Sequence, residues 1–284
     1  MAWRSKKIRD RWESLRRRIY NAVHFAEYEM VKRGYRKCDV YDLNPDRFDE
    51  QIKRVMLDGM VYLPILRSKQ YGGYGHRHYN TDIIDKDTFI YGALSRNLHY
   101  AKLFHDAGVI DLKKRINNYD EPFMISGQQF TMNPSGIDHN VTGALLGYPE
   151  CCREFFTKTW LKDGCLDPMY ETAENTEGVI IKGNKASVNG DPYLNRLIRY
   201  WGFNLIPFFP HSFDCVEAHQ FAEQWFSLMQ EYDKEASDAC LEALSMPMVW
   251  SLQNCIIYVE HPLFLGSANG YYTKEKYTVE WYPQ

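Results

Sequence analysis

The chain of 284 residues reads as an α+β protein, mostly helical, with a small mixed or antiparallel sheet and a long basic helix at its N-terminus. Three observations lead there. Apolar residues recur at steps of three and four over several long stretches, strand-like runs are short, and the two kinds of element follow one another without a regular βαβ alternation. With 45% hydrophobic and 15% aromatic residues, the chain has ample material for a core.

Trp12, Leu15, Ile19, Val23, Ala26 and Met30 form one apolar stripe, so residues 5–33 read as an amphipathic helix ending near Gly34, with Arg9, Arg16 and Arg17 off the stripe. "NPDRFDEQIKRVM" offers an Asn cap followed by Pro at the first helical position, which predicts a helix over 45–57. "MVYLPIL" reads as a strand that Pro64 confines to a sheet edge. "SKQYGGYGHRHYN" at 68–80 is a glycine-rich aromatic loop in which His76 and His78 face one side, as substrate-side candidates. Helix is expected at 88–106, 149–162, 191–201, from Ser212 to about Tyr232, and at 234–245. Strands are expected at "FMISGQQFTM" and "GVIIKG", and at "CIIYVEH" and "KYTVEWY" joined across "GSANGYY". The expected division is a basic helix at 1–37 and a single α+β domain at 38–284.

Residues 1–37 hold twelve Lys or Arg and four Asp or Glu, a balance of +8, while the rest of the chain holds 22 basic and 33 acidic residues. Such a helix suits an anionic partner, nucleic acid above all, with Tyr71, Tyr74 and Tyr79 as candidate stacking residues. It equally suits the acidic body of its own protein. No apolar run reaches the length of a membrane helix and the N-terminus lacks the apolar segment of a secretory signal, so the expectation is a soluble, cytoplasmic protein with no membrane partner. Seven cysteines, an odd number in a chain too large to need disulfide staples, are expected as free thiols, ligands or nucleophiles.

"LLGYPECCREFF" places Cys151 and Cys152 in the first turn of a helix opened by Pro149, where unpaired N–H groups and the helix dipole favour thiolate. "PHSFDCVEAHQF" repeats the pattern: with Ser212 as N-cap, His211 lies just outside a helix and Cys215 at its third position. Cys151, Cys152, His211 and Cys215 therefore make a candidate four-ligand set for a zinc ion or an iron–sulfur cluster, with His219 in reserve one turn beyond Cys215. The adjacent pair favours a cluster and the histidine favours zinc. Burial of the same cysteines as ordinary core residues is the competing explanation. Asp138, His139, Glu150 and Asp214 are candidate acid–base groups, as is Glu217, although each also suits a cap or the surface.

"GALLGYPECCREFF", "NRLIRYWGFNLIPFFPHSFDC" and "MPMVWSLQNCIIYVEHPLF" resemble a prokaryotic family of unknown function marked by a Gly-Tyr-Pro-x-Cys-Cys segment and then a Pro-Cys-Ser-x-x-Cys segment. The likeness covers roughly residues 139–265, with His211 standing where the family pattern has a cysteine. Exchange of Cys for His preserves coordination, so the resemblance implies metal ligation at these positions. It implies no reaction. Three functions follow as expectations: a metal-dependent enzyme modifying a nucleotide or nucleic acid, a nucleic-acid-binding protein with a structural metal, and a cysteine nucleophile (Cys151 or Cys152) with His139 or His211 as base.

Overall fold

The computed structural model describes residues 1–69, 88–108, 123–125, 128–130, 138–163, 167–270, 273 and 275–284. The loop expected around His76 and His78, its tyrosines, and Cys165 lie outside these residues. The chain divides into two compact units, one of Met1–Ala26, Tyr119–Met132 and Pro149–Gln284, the other of Glu27–Asn118 and Asn133–Tyr148.

In the second unit, β2 (Cys38–Leu43), β3 (Val61–Lys69) and β4 (Thr88–Ser95) form an antiparallel sheet in the order β2-β4-β3. Pro64 lies on the edge strand β3, where the register shifts between Pro64 and Leu66, as its missing N–H requires. Helix α2 (Phe48–Leu57) follows a 3₁₀ turn at Pro45–Arg47, and Asn44 accepts the Asp46 N–H at 2.8 Å. Helix α3 (Leu98–Gly108) begins ten residues later than the helix expected from residue 88, because β4 occupies the intervening segment. "TFIY" is β-branched and aromatic, and that preference prevails over a helical apolar spacing. Cys38, Ala93, Ala101, Phe104 and Leu145 pack into one core cluster, and Tyr28, Val31, Val55, Met60 and Leu94 into another.

The first unit overturns the expectation of a small sheet. Seven strands lie in the order β1-β11-β10-β9-β12-β8-β7: β1 (Ala2–Trp3), β7 (Ile180–Lys182), β8 (Lys185–Gly190), β9 (Met248–Gln253), β10 (Ile256–Glu260), β11 (Phe264–Asn269) and β12 (Tyr277–Pro283). The sheet is mixed, since β12 pairs with β8 in parallel and every other pairing is antiparallel. Strand β11 takes up "GSAN", part of the run expected only to join two strands. "KASVNG" of β8 alternates buried and less buried residues, a period that its polar composition conceals. A short separate pair, β5 (Phe123–Ile125) and β6 (Gln128–Phe130), replaces the single strand expected there. The helix expected at 191–201 is instead two 3₁₀ turns, Pro192–Leu194 and Arg199–Trp201.

Helix α1 (Lys6–Lys32) buries Trp12, Leu15, Ile19, Ala22, Ala26 and Met30, the expected stripe with Ala22 added and Val23 half-buried. Trp12 meets Phe203 edge-on, and Phe203 stacks on Phe264, so the helix joins an aromatic core. Much of its charge is met by acids of the fold. Within the first unit Arg11 pairs with Glu242 at 2.9 Å, and Arg18 grips Asp233 with two nitrogens at 2.6 Å each and reaches Glu235 at 2.8 Å. Within the second unit, Lys32 pairs with Asp58 at 3.0 Å, Arg33 with Glu29 at 2.9 Å, and Arg36 with Asp39 in the interior. Lys6, Lys7 and Arg17 remain exposed. No helix among the described residues is long and apolar enough to cross a membrane.

His261, 1% exposed, sits in the turn between β10 and β11 and lies against the Phe264 ring. Its Nε2 is 3.0 Å from the Ala243 carbonyl and its Nδ1 accepts the Leu263 N–H at 3.1 Å. That pairing requires the neutral ring protonated on Nε2, because a proton on Nδ1 would face another N–H. Burial accordingly holds its pKa down, at about 4. An unfolded histidine titrates near 6.5, so between these values the unfolded state binds the extra proton and stability falls as pH decreases. Unfolding free energies should show a contribution from His261 that is complete above about pH 6.5 and is lost toward pH 4 at up to about 1.4 kcal/mol per pH unit. Urea unfolding at a series of pH values, for the wild type and His261→Asn, checks this: the difference between them should shrink as pH falls.

Candidate metal centre

The site is built in the first unit from two helix starts. Helix α5 (Glu150–Asp163) begins directly after Pro149, whose carbonyl accepts the Arg153 N–H at 3.0 Å. Cys151 and Cys152 occupy its first turn, as the sequence predicts. Helix α7 (Val216–Leu244) begins later than the expected Ser212: Cys215 is itself the N-cap, its sulfur accepting the Ala218 N–H at 3.4 Å. Ser212 is drawn instead into a tight turn, its hydroxyl donating to Asp214 Oδ1 and accepting the Asp214 N–H at 3.1 Å. The same helix absorbs the separate one expected at 234–245, with a kink at Asp233 between the two.

These starts bring Cys151, Cys152, His211 and Cys215 together, with one ligand atom from each lying within 4.8 Å of all the others. The sulfurs form a near-equilateral triangle of 3.9 Å (Cys151–Cys152), 3.7 Å (Cys151–Cys215) and 3.8 Å (Cys152–Cys215). His211 presents Nδ1 at 3.7 Å from the Cys152 sulfur. Three soft sulfurs and an imidazole at such separations could hold a metal ion. Cys152 and Cys215 are 2% and 4% exposed, whereas Cys151 is half-buried.

Close packing also couples the thiols. The Cys152 hydrogen bond, followed by the Ala218 N–H, brings the Cys215 thiol down to about 6 against the opposing effect of burial. Cys152 moves up through its bond to Cys215 and through burial, and Cys151 moves up mainly through burial. One sulfur thus carries the charge while its neighbours keep their protons. A cation at the centre would remove that conflict by favouring all three thiolates.

Helix α6 (Met169–Glu174) and the turn after it hold the loop that carries His211. Thr172, fully buried, directs its hydroxyl to the Pro210 carbonyl at 2.8 Å, and Asn175 Nδ2 donates to the His211 carbonyl at 3.1 Å. Thr176 Oγ1 accepts the Phe213 N–H at 2.9 Å and the Glu177 N–H reaches Asp214 Oδ2 at 2.9 Å. Phe213 packs edge-on against Trp281, and Gly190 lies against the Trp281 ring and the Phe213 Cβ, where a Cβ of its own would collide with both. On the other side Phe209 stacks parallel to Phe156 of α5, one turn after Cys152. None of these supporting residues follows from ligand spacing; a small-polar run such as "TAENTEG" looks like any helix end.

The remaining predicted groups serve other purposes or lie elsewhere. Asp138 caps α4 (His139–Leu145) in the second unit, accepting the Asn140 and Val141 N–H groups, and the half-buried His139 has its pKa lowered by burial. Glu150 is exposed in the first turn of α5. Both oxygens of Asp214 are engaged in the turn described above, while Glu217 Oε2 lies 3.6 Å from the Cys215 sulfur. His219, the reserve ligand, is held by Asp191 at Nδ1 and lies 3.3 Å from Glu223 at Nε2. Burial of this ring is outweighed by those carboxylates, which raise its pKa. Cys38, Cys240 and Cys255 are buried and outside the cluster.

No family model, curated protein or solved structure matches the chain.

Thr172→Val keeps the side-chain shape and removes the hydroxyl that lies 2.8 Å from the Pro210 carbonyl and 2.9 Å from that of Pro168. It should lower stability by about 1–3 kcal/mol, the usual cost of leaving a buried carbonyl unpaired. Urea unfolding of the purified protein measures it. Gly190→Ala should cost more, because the clash displaces Phe213 and Trp281 together.

Proposed function

We propose that this is a zinc protein whose single ion is held by Cys151, Cys152, His211 and Cys215. The sulfur triangle carries the reading. A zinc–sulfur bond of about 2.3 Å in tetrahedral geometry requires sulfurs about 3.8 Å apart, and a zinc–nitrogen bond of about 2.0–2.1 Å sets the sulfur–nitrogen edge near 3.6 Å. The three sulfur edges of 3.7–3.9 Å and the 3.7 Å edge from the Cys152 sulfur to His211 Nδ1 agree with those lengths, and the remaining sulfur–nitrogen edges lie within 4.8 Å. An iron–sulfur cluster binds each cysteine to a different iron, or two to each of a pair, which spreads the ligands wider than a set confined within 4.8 Å. The geometry therefore favours one ion over a cluster.

Four protein ligands fill a tetrahedron, so the ion's first role is to tie the start of α5 to the start of α7, in the manner of structural zinc. Zinc would supply the positive charge that lets three crowded sulfurs ionise together. The acid–base reading of Asp138, Glu150 and Asp214 loses support to capping, exposure and the Ser212–Asp214 turn. A nucleic-acid partner draws its support from Lys6, Lys7 and Arg17, cations of α1 that stay exposed and that form no ion pair among the described residues.

Metal analysis of protein purified without added metal should give about one zinc per chain and no iron. Replacement by cobalt(II) should produce the visible absorption of a tetrahedral thiolate site. Cys152→Ser and His211→Ala should each reduce the zinc content sharply, by the tenfold or more in affinity that loss of a ligand entails. Iron with a brown colour, or full zinc retention in either variant, would overturn the assignment.

A further inference from the structure

The three sulfurs are not equivalent. Cys152 is 2% exposed and receives the His211 N–H at 3.4 Å, and Cys215 is 4% exposed and receives the Ala218 N–H at 3.4 Å. Cys151 is half-buried, and among the described residues the hydrogen-bond partners of its sulfur are the other two sulfurs, at 3.9 and 3.7 Å. An N–H directed at a thiolate draws off charge and weakens it as a nucleophile, while burial shields it from reagents. Two ligands are thus both quietened and covered, and the third is only half covered and receives neither N–H.

We propose that Cys151 is the reactive ligand of the centre, a zinc-bound thiolate that attacks small, soft alkyl electrophiles. The inference rests on the zinc reading above. Its electrostatics follow from the ligand count: three thiolates and a neutral imidazole around a doubly charged ion leave one surplus negative charge in a half-buried site. Glu217, whose Oε2 lies 3.6 Å from the Cys215 sulfur, adds another negative group nearby. Alkylation relieves that surplus. A lone pair on the Cys151 sulfur forms the new sulfur–carbon bond as the carbon–leaving-group bond breaks, and the leaving group departs with its electron pair. No proton is transferred and nothing is oxidised. The thioether stays beside an ion still held by Cys152, His211 and Cys215.

The test treats the full-length zinc-loaded protein with a limiting amount of iodoacetamide, maps the products by peptide mass spectrometry, and measures zinc before and after. Cys151 should be modified about tenfold or more faster than Cys152 and Cys215, with zinc retained. Its rate should stay nearly flat between about pH 6 and 8, because a metal-bound thiolate has no proton to lose, whereas a free thiol gains about tenfold per unit below its pKa. Equal or faster modification of Cys152 or Cys215 overturns the inference while leaving the zinc assignment standing, whereas a rate at Cys151 that climbs with pH as a free thiol's does overturns the inference and removes Cys151 from the ligand set. Absence of zinc from the untreated protein overturns both.

Discussion

The meeting of two helix starts is the constraint on which the site depends. A helix N-terminus carries unpaired N–H groups and a partial positive charge, and it attracts sulfur as it attracts other soft or anionic groups. One such start is a common feature. Two of them brought to one point, with three sulfurs at mutual distances of 3.7–3.9 Å, is an arrangement that repels itself if the sulfurs ionise alone. The fold must hold it from outside, and α6 with the turn after it does so: Thr172, Asn175, Thr176 and the Glu177 N–H bind the loop from Pro210 to Asp214 through its carbonyls, the Phe213 amide and the Asp214 carboxylate.

That bracing connects the centre to the core. Phe213 hangs from the ligand loop into the contact with Trp281 of β12, and the Asp191 N–H binds its carbonyl at 3.0 Å. Phe209 stacks on Phe156 of α5 on one side and carries the Arg196 and Arg199 guanidinium groups within 5.0 Å of its ring. Arg199 is itself paired with the buried Asp167. A disturbance in the ligand loop is therefore felt by the large sheet and by α5 together, and the spacing of the ligands is as firm as the packing behind them.

Charge follows a similar economy. The basic excess of the first 37 residues had two readings in sequence, an anionic partner or an acidic surface of the same protein. The ion pairs of Arg11 and Arg18 with acids of α7 place much of that charge against the protein's own carboxylates. Exposed pairs of this kind add little stability each, but they lower the net field that an external polyanion would meet.

Local chemistry was legible from sequence wherever it depended on neighbours along the chain. The stripe of α1, the Pro149 helix start, the edge position of Pro64 and the ligand character of Cys151, Cys152, His211 and Cys215 all follow from residue type and spacing, because capping, amphipathic burial and ring constraints act within a few residues. What depended on distant partners was not. The strands β8, β9 and β11 are short, polar or glycine-containing, and they become strands only because neighbours in the seven-stranded sheet pair with their backbones. The cap at Cys215 likewise replaced Ser212 because Asp214 and residues of the α6 turn claim the intervening groups. The sequence by itself determined which side chains could bind a metal. Only the tertiary structure decided that they meet, and that Cys151 stands half open while, among the described residues, amides reach only the other two sulfurs, since hydrogen bonds from distant amides and the depth of burial exist only once the chain has packed.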